Sequence, residues 1–200
     1  GDHEIALAGA MQTPGCVLIA GTGSICYGKN AAGEHFRCGG GGHIIDDPGS
    51  GYALGRDALA AALQTEDGRL SENALHGAVM DTVGGSGIQG IFDFVYFSRR
   101  GKGDIAALAP LVLQCAAQGD AVSLDILRRG AAELARLVSA VMGKLGLENG
   151  SPCALAGGLL AEDNVYRRAV CAALAPFCRP AAPEHDALFG AVQLALAAIQ

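Results

Sequence analysis

The sequence has no basic cluster larger than Arg99-Arg100 with Lys102 nearby, and its net charge is −6. A protein that grips nucleic acid through its phosphates needs a positive face, so no nucleic-acid partner is expected. No apolar run reaches the roughly 18 residues a membrane-spanning helix requires, so no membrane partner is expected either. No signal peptide is recognisable, and the chain opens on Gly1 instead of an initiator Met, which predicts a segment of a longer chain. The seven cysteines (Cys16, Cys26, Cys38, Cys115, Cys153, Cys171 and Cys178) are odd in number and contain no Cys-x-x-Cys pair. That argues against a zinc site or a disulfide framework. Most lie among apolar residues, as Cys115 does after Leu111-Val112-Leu113-Gln114, where a thiol serves as a small hydrophobe. The compartment this predicts is a reducing cytoplasm. No Gly-x-x-x-x-Gly-Lys-Ser/Thr run exists, which rules out a P-loop. Gly21, Gly23 and Gly28 lack both the dinucleotide-binding spacing and a following helix.

Against these absences stand a hydrophobic half of the chain and 30 glycines. Two hundred residues of this kind bury about 70% of their unfolded surface, enough for a sizeable core. The glycines gather in short runs beside apolar segments, a pattern of tight turns and close backbone approach to a ligand.

A short Ala-rich helix is predicted over residues 4–11, ending before Pro14-Gly15. Residues 16–20 form a continuous apolar run between glycines and read as a buried strand. Residues 24–28 and 34–38 follow as two further strands, giving three antiparallel strands in succession. Helical patterns cover residues 52–64, 71–83, 105–118, 121–145, 165–174 and 187–199. The 121–145 pattern is the clearest, with Leu124, Leu127, Leu134, Leu137, Val138 and Val141 at helical spacing and Asp120 or Ser123 eligible as its N-cap. Residues 152–156 make another buried strand, closed by Gly157-Gly158. Strands first, then helices alternating with a strand, predict an α/β layer architecture.

Three segments carry chemistry. Gly21-Thr22-Gly23-Ser24 joins two strands; without Cβ atoms such a turn can bring N–H groups and a hydroxyl close to an anion. An ordinary hairpin turn has the same composition, so the tetrapeptide by itself leaves both readings open. Residues 39–51 hold six glycines with Asp46, Asp47 and His43 between a strand and a helix. So expensive a loop is rarely a plain connection, although Asp47 and Ser50 also suit simple helix capping. Ala156-Gly157-Gly158 ends a buried strand where a helix begins, the usual place for a nucleotide to meet an open α/β sheet.

The order of these segments carries more than any one of them. Asp2-His3-Glu4-Ile5-Ala6-Leu7-Ala8-Gly9-Ala10, then Val17-Leu18-Ile19-Ala20-Gly21-Thr22-Gly23-Ser24, the glycine loop continued through Tyr52 to Gly55-Arg56, and Leu155-Ala156-Gly157-Gly158 resemble the BadF/BadG/BcrA/BcrD-type ATPase family. Within it they are most similar to the N-acetylglucosamine and glucosamine kinases. The resemblance runs from Asp2 to Gly190-Ala191, and the glycine loop is its most specific part.

The resemblance implies a ribonuclease-H-like (actin-like ATPase) fold, duplicated over two domains with ATP in the cleft. Residues 1–200 would be the C-terminal nucleotide- and sugar-binding domain, with the N-terminal phosphate-binding domain outside this sequence. It implies that Asp2 is the catalytic carboxylate that takes the proton of the attacking sugar hydroxyl. It implies that Gly21, Thr22, Gly23 and Ser24 form a phosphate-binding hairpin and that Ala106, Gly157 and Gly158 lie beside the nucleoside. Gly40, Gly41, Gly42 and Asp47 match the segment that contacts the sugar. Mg2+ is expected to be held through the ATP phosphates, with no metal ligand from this chain, and a homodimer is left open. Phosphoryl transfer suits such a set, because it needs positioning, charge neutralisation and one carboxylate to orient the hydroxyl.

Two departures bear on the sugar. Asp46-Asp47-Pro48-Gly49-Ser50 stands where the family carries Gly-Asp-Glu-Gly-Ser, and Gly41 stands where Trp is usual. Pro48 removes a carboxylate and a backbone donor together. Two alternative functions follow from the same resemblance. One is an ATPase that activates a radical acyl-CoA dehydratase or reductase, which needs thiolates for an iron–sulfur cluster; Cys16, Cys26 and Cys38 do not show the expected pairing. The other is a non-catalytic sugar sensor, kept open by Asp46-Asp47-Pro48.

Overall fold

The computed structural model describes residues 1–11, 14–84, 86–97, 99–197 and 199. Helix α1 (Asp2–Ala10) leads into a meander of β1 (Gly15–Ala20), β2 (Ser24–Lys29) and β3 (His35–Gly39). The glycine loop then gives way to α2 (Gly51–Glu66), α3 (Ala74–Val83) and α4 (Gly87–Phe92), which runs into a π-helical turn at Asp93–Phe97. Next come α5 (Lys102–Ala106), α6 (Ala109–Ala117), α7 (Ala121–Leu145), β4 (Ser151–Ala156), α8 (Val165–Leu174), β5 (Cys178–Ala181) and α9 (Ala187–Ala197).

The five strands form one sheet in the order β3-β2-β1-β4-β5. The meander is antiparallel, with Val17 opposite Tyr27, and β4 and β5 join β1 in parallel, with Cys16 opposite Cys153. Three antiparallel strands extended on one side by two parallel ones give the ribonuclease-H-like arrangement. Strand alternation sorts the core onto two faces. Val17, Tyr27 and Ala154 pack under α1, with Ile19 and Ala156 beside them, while Cys16, Leu18, Ala20, Cys26, Cys153 and Leu155 pack under α7 and its neighbours. Helix α7 is the main buried helix, and Leu134, Val138 and Val141 on it are fully buried.

The 121–145 and 165–174 helices have the bounds the sequence predicts, and Asp120 is the N-cap of α7, accepting the Ser123 N–H at 2.8 Å. The 105–118 helix is instead two: Pro110 occupies the first turn of α6, where its missing N–H does no harm. The 71–83 helix starts only at Ala74, because Asn73 caps it. Helix α9 ends at Ala197, and the predicted extension to 199 passes through residue 198, outside the described residues.

Helices α1 and α9 cross at Gly9 and Gly190. A Cβ at either position would overlap backbone of the other helix, so only glycine permits this approach. Outward, α9 exposes Leu188, Val192, Leu194 and Leu196. No single helix among the described residues is long and apolar enough to cross a membrane.

Cys16, Cys26, Cys115, Cys153 and Cys178 are buried, and Cys38 and Cys171 are half-buried. Burial, and then the neighbouring Cys16 thiol, pushes the Cys26 thiol up; contact with the Cys16 and Cys178 thiols, and then burial, does the same to Cys153. Both therefore stay protonated and unreactive at neutral pH. Ellman's reagent should titrate no thiols of the native protein promptly except Cys38 and Cys171, and all seven after unfolding. Prompt native reaction at Cys26 or Cys153 would overturn this packing.

Candidate functional site at the glycine turns

The parallel neighbours β1 and β4 end side by side, and each ends in glycine. After β1 comes the 21–24 turn; after β4 comes Gly157 at φ 88°, a left-handed backbone that glycine alone adopts freely. A Cβ on Gly157 would overlap the Ala20 carbonyl, and that carbonyl accepts the Leu159 N–H at 3.1 Å. An ideal Cβ on Gly21 would lie 4.0 Å from the Gly158 nitrogen. The two glycine turns therefore form one small backbone surface at the C-terminal ends of β1 and β4, with Gly158 and Thr22 exposed on it.

Helix α2 begins against the same surface. Ser50 is its N-cap, taking the Ala53 N–H on its hydroxyl at 3.2 Å. The Gly51 N–H donates to Gly21 O at 2.7 Å, and the Tyr52 N–H to Thr22 O at 3.3 Å. The Gly21 N–H closes the turn onto Gly23 O at 2.9 Å. Three carbonyls that would repel an anion are thus engaged internally. Ala106 joins the group: its Cβ lies 3.5 Å from an ideal Cβ on Gly51. The sequence-predicted residues Gly21, Thr22, Gly23, Ser24, Ala106, Gly157 and Gly158, scattered over more than a hundred positions, are here one neighbourhood.

The glycine loop is tied onto the turn through Asp47. Its Oδ1 accepts the Ser24 N–H at 3.1 Å, and its Oδ2 accepts Lys102 Nζ at 2.6 Å. Pro48 O accepts the Ser24 hydroxyl at 2.7 Å. Ser24 thus spends both donors on the loop, whereas Thr22 is the exposed hydroxyl of the turn. Gly23 makes room for the ion pair, since an ideal Cβ there would lie 2.9–3.0 Å from both Asp47 carboxylate oxygens and from Lys102 Nζ. Asp47 is only 3% exposed. It has φ 59° among the described residues' non-glycine backbone and precedes a proline, a costly combination that only surrounding contacts can hold. Gly40 and Gly41 are exposed, and Gly42 is half-buried. This arm is folded back by Asp46, whose Oδ2 accepts the Gly41 N–H at 2.8 Å.

Asp2 stands apart. It is exposed in the first turn of α1, and among the described residues no interaction joins it to the turn or the glycine loop. Helix α1 packs on β1 and β2, with His3 4.8 Å from Tyr27 and Met11 beside Gly15. A concavity of about 1110 Å3 lies beside α1 at Glu4, Tyr27 and His35. Its lining includes the β2–β3 turn at residues 30–33 but none of the residues of the two glycine turns after β1 and β4.

Two residues invisible as site residues in the sequence hold the arrangement. Lys102 is a single lysine in a polar stretch. Tyr166 is fully buried on α8 and donates its hydroxyl to Gly49 O at 2.6 Å, from the side of the loop opposite Ser24. Burial pushes its phenol far above the ordinary range, so it stays a donor at every working pH. Tyr166→Phe should cost about 1–3 kcal/mol of stability, because it strands a buried carbonyl. Guanidinium unfolding measures this, and an unshifted midpoint would show that other contacts suffice to hold the loop.

The chain is similar in sequence and in fold to known proteins. The chain is 42% identical over 149 residues to an N-acetylmuramic acid/N-acetylglucosamine kinase of Clostridium acetobutylicum, covering 74% of this chain and 49% of that protein. It is 31% identical over 174 residues to an N-acetyl-D-glucosamine kinase of Dictyostelium discoideum, covering 84% and 53%. A solved structure from Chromobacterium violaceum, provisionally named an N-acetylglucosamine kinase, superposes with a TM-score of 0.77 at 32% identity, over 96% of this chain and 64% of that one. Another from Porphyromonas gingivalis, at 19% identity and a TM-score of 0.71 over 95% and 62%, shares the fold. The chain spans about half the length of the curated relatives it matches. A family model matches residues 2–195, nearly end to end, and on that match the chain belongs to the BadF/BadG/BcrA/BcrD ATPase family.

Proposed function

We propose that this chain is the C-terminal nucleotide- and sugar-binding part of a two-domain kinase that transfers the γ-phosphate of ATP directly to an amino sugar, N-acetylglucosamine or glucosamine. The observation that carries this reading is the meeting of two glycine turns, the α2 N-terminus and the glycine loop at the C-terminal ends of β1 and β4. Backbone so bare of Cβ atoms, with its carbonyls already engaged, suits phosphate oxygens. The names of the relatives supply the substrate class. The apolar residues that α9 turns outward fit a second domain packed on that side.

In this reading the 21–24 turn receives phosphate, with Thr22 as its hydroxyl donor, and Ala106, Gly157 and Gly158 flank the nucleoside. Gly40, Gly41, Gly42 and Asp47 face the sugar. Asp2 orients the attacking hydroxyl and accepts its proton, acting from the α1 terminus across the cleft. Mg2+, carried on the phosphates, neutralises charge without a ligand from this chain. The protein works in the cytoplasm, where its thiols stay reduced.

Two substitutions in the complete natural protein test this. Asp2→Asn keeps the shape but removes the base, so kcat should fall by about 10²–10⁴-fold with ATP affinity nearly unchanged. Parental kcat in that variant would refute the assignment. Thr22→Val should weaken ATP binding and leave sugar affinity alone; equal ATP affinity in variant and parent would move the phosphates elsewhere.

A further inference from the structure

The ion pair between Lys102 and Asp47 lies on the line between the two proposed ligands. Its ammonium is beside Gly23 of the phosphate turn, and its carboxylate belongs to the loop that faces the sugar. The partners are unequally placed: the Lys102 side chain is 30% exposed and that of Asp47 only 4%. Lysine is thus the outer member of the pair and covers Oδ2. Its backbone starts α5 between Gly101 and Gly103, both with open space around them. Three residues after Lys102, Ile105 is locked down by the close approach of its carbonyl to Gly55 of α2. The helix is anchored while its first residue stays free to swing on a four-carbon stem.

Resting on the function proposed above, we propose that Lys102 is a positioning residue that couples the two substrates. A nucleotide phosphate at the 21–24 turn carries more negative charge than one carboxylate, is close to the ammonium, and draws it away from Asp47. The Ser24 N–H keeps its hold on Oδ1, so the carboxylate remains in place while Oδ2 loses its partner. A poorly solvated carboxylate oxygen without a donor is a strong acceptor, and a sugar hydroxyl satisfies it. Nucleotide and sugar therefore bind cooperatively, and by linkage each tightens the other by the same factor.

Calorimetric titration of the complete natural protein with N-acetylglucosamine, with and without a non-hydrolysable ATP analogue and Mg2+, reads this factor. In the parent the analogue should tighten sugar binding by about 5–150-fold, the usual range of such coupling. Lys102→Met uncovers Asp47, so sugar binding without nucleotide should already match the parent's nucleotide-bound affinity, and the factor should fall to about one. Lys102→Gln keeps a hydrogen-bond donor on Asp47 but has no charge for phosphate to attract. It should bind sugar weakly in both conditions, again with a factor of about one. Lys102→Arg keeps the charge and should retain coupling. If the methionine variant fails to fold, the glutamine variant carries the test by itself. Parental coupling in either neutral variant overturns the inference. A parent that binds and phosphorylates the sugar with a factor of one overturns it too, yet leaves the kinase reading intact. A parent that binds neither ligand overturns the kinase reading.

Discussion

One carboxylate fixes the relation between the glycine loop and the sheet. Asp47 accepts from the Ser24 backbone on one oxygen and from Lys102 on the other, in a place that admits almost no water. Its φ of 59° before Pro48 is unfavourable, and those two donors, together with Ser24 on Pro48 O and Tyr166 on Gly49 O, keep the loop in that conformation. A half-exposed lysine and a nearly enclosed aspartate form an asymmetric pair. Exchanging the lysine's partner costs little, whereas leaving the aspartate unpartnered costs much. That difference is what suits the pair to respond to a ligand.

The rest of the fold serves to bring that loop over the two turns. Parallel pairing of β1 with β4 puts both glycine endings at one end of the sheet, and the overlap that any Cβ on Gly157 would make with Ala20 explains why the second ending is glycine. The cysteine-rich face under α7 is packed by small side chains, which lets α7 lie close to the strands.

The fold was largely legible because its elements follow their own periodicities. Strands β1, β2 and β4 are apolar runs bounded by glycines, and α7 repeats its leucines and valines faithfully behind an aspartate cap. Strand β5 went unread: it is four residues long and contains Pro180, so it has neither the length nor the donor expected of a strand. The π-helical turn after α4 has no local signal distinguishing it from an α-helix. At the site, glycines announced themselves because their chemistry is local. Lys102 and Tyr166 did not, because what matters about each is a partner 55 or 117 positions away. Ser24 was read as a ligand for phosphate, yet both its donors turn inward to the loop.

Gly41 and Asp46, two separate departures in the sequence, meet in three dimensions. Asp46 folds back to take the Gly41 N–H at 2.8 Å, and a Cβ at position 41 would lie 2.8 Å from that same carboxylate oxygen. A side chain at 41 would therefore require the Asp46 carboxylate to turn away and release the Gly41 N–H. The fold-back of the loop at this point is thus bound to the absence of a side chain at 41, and the open surface it leaves beside Gly40 and Gly41 is a consequence of that same contact.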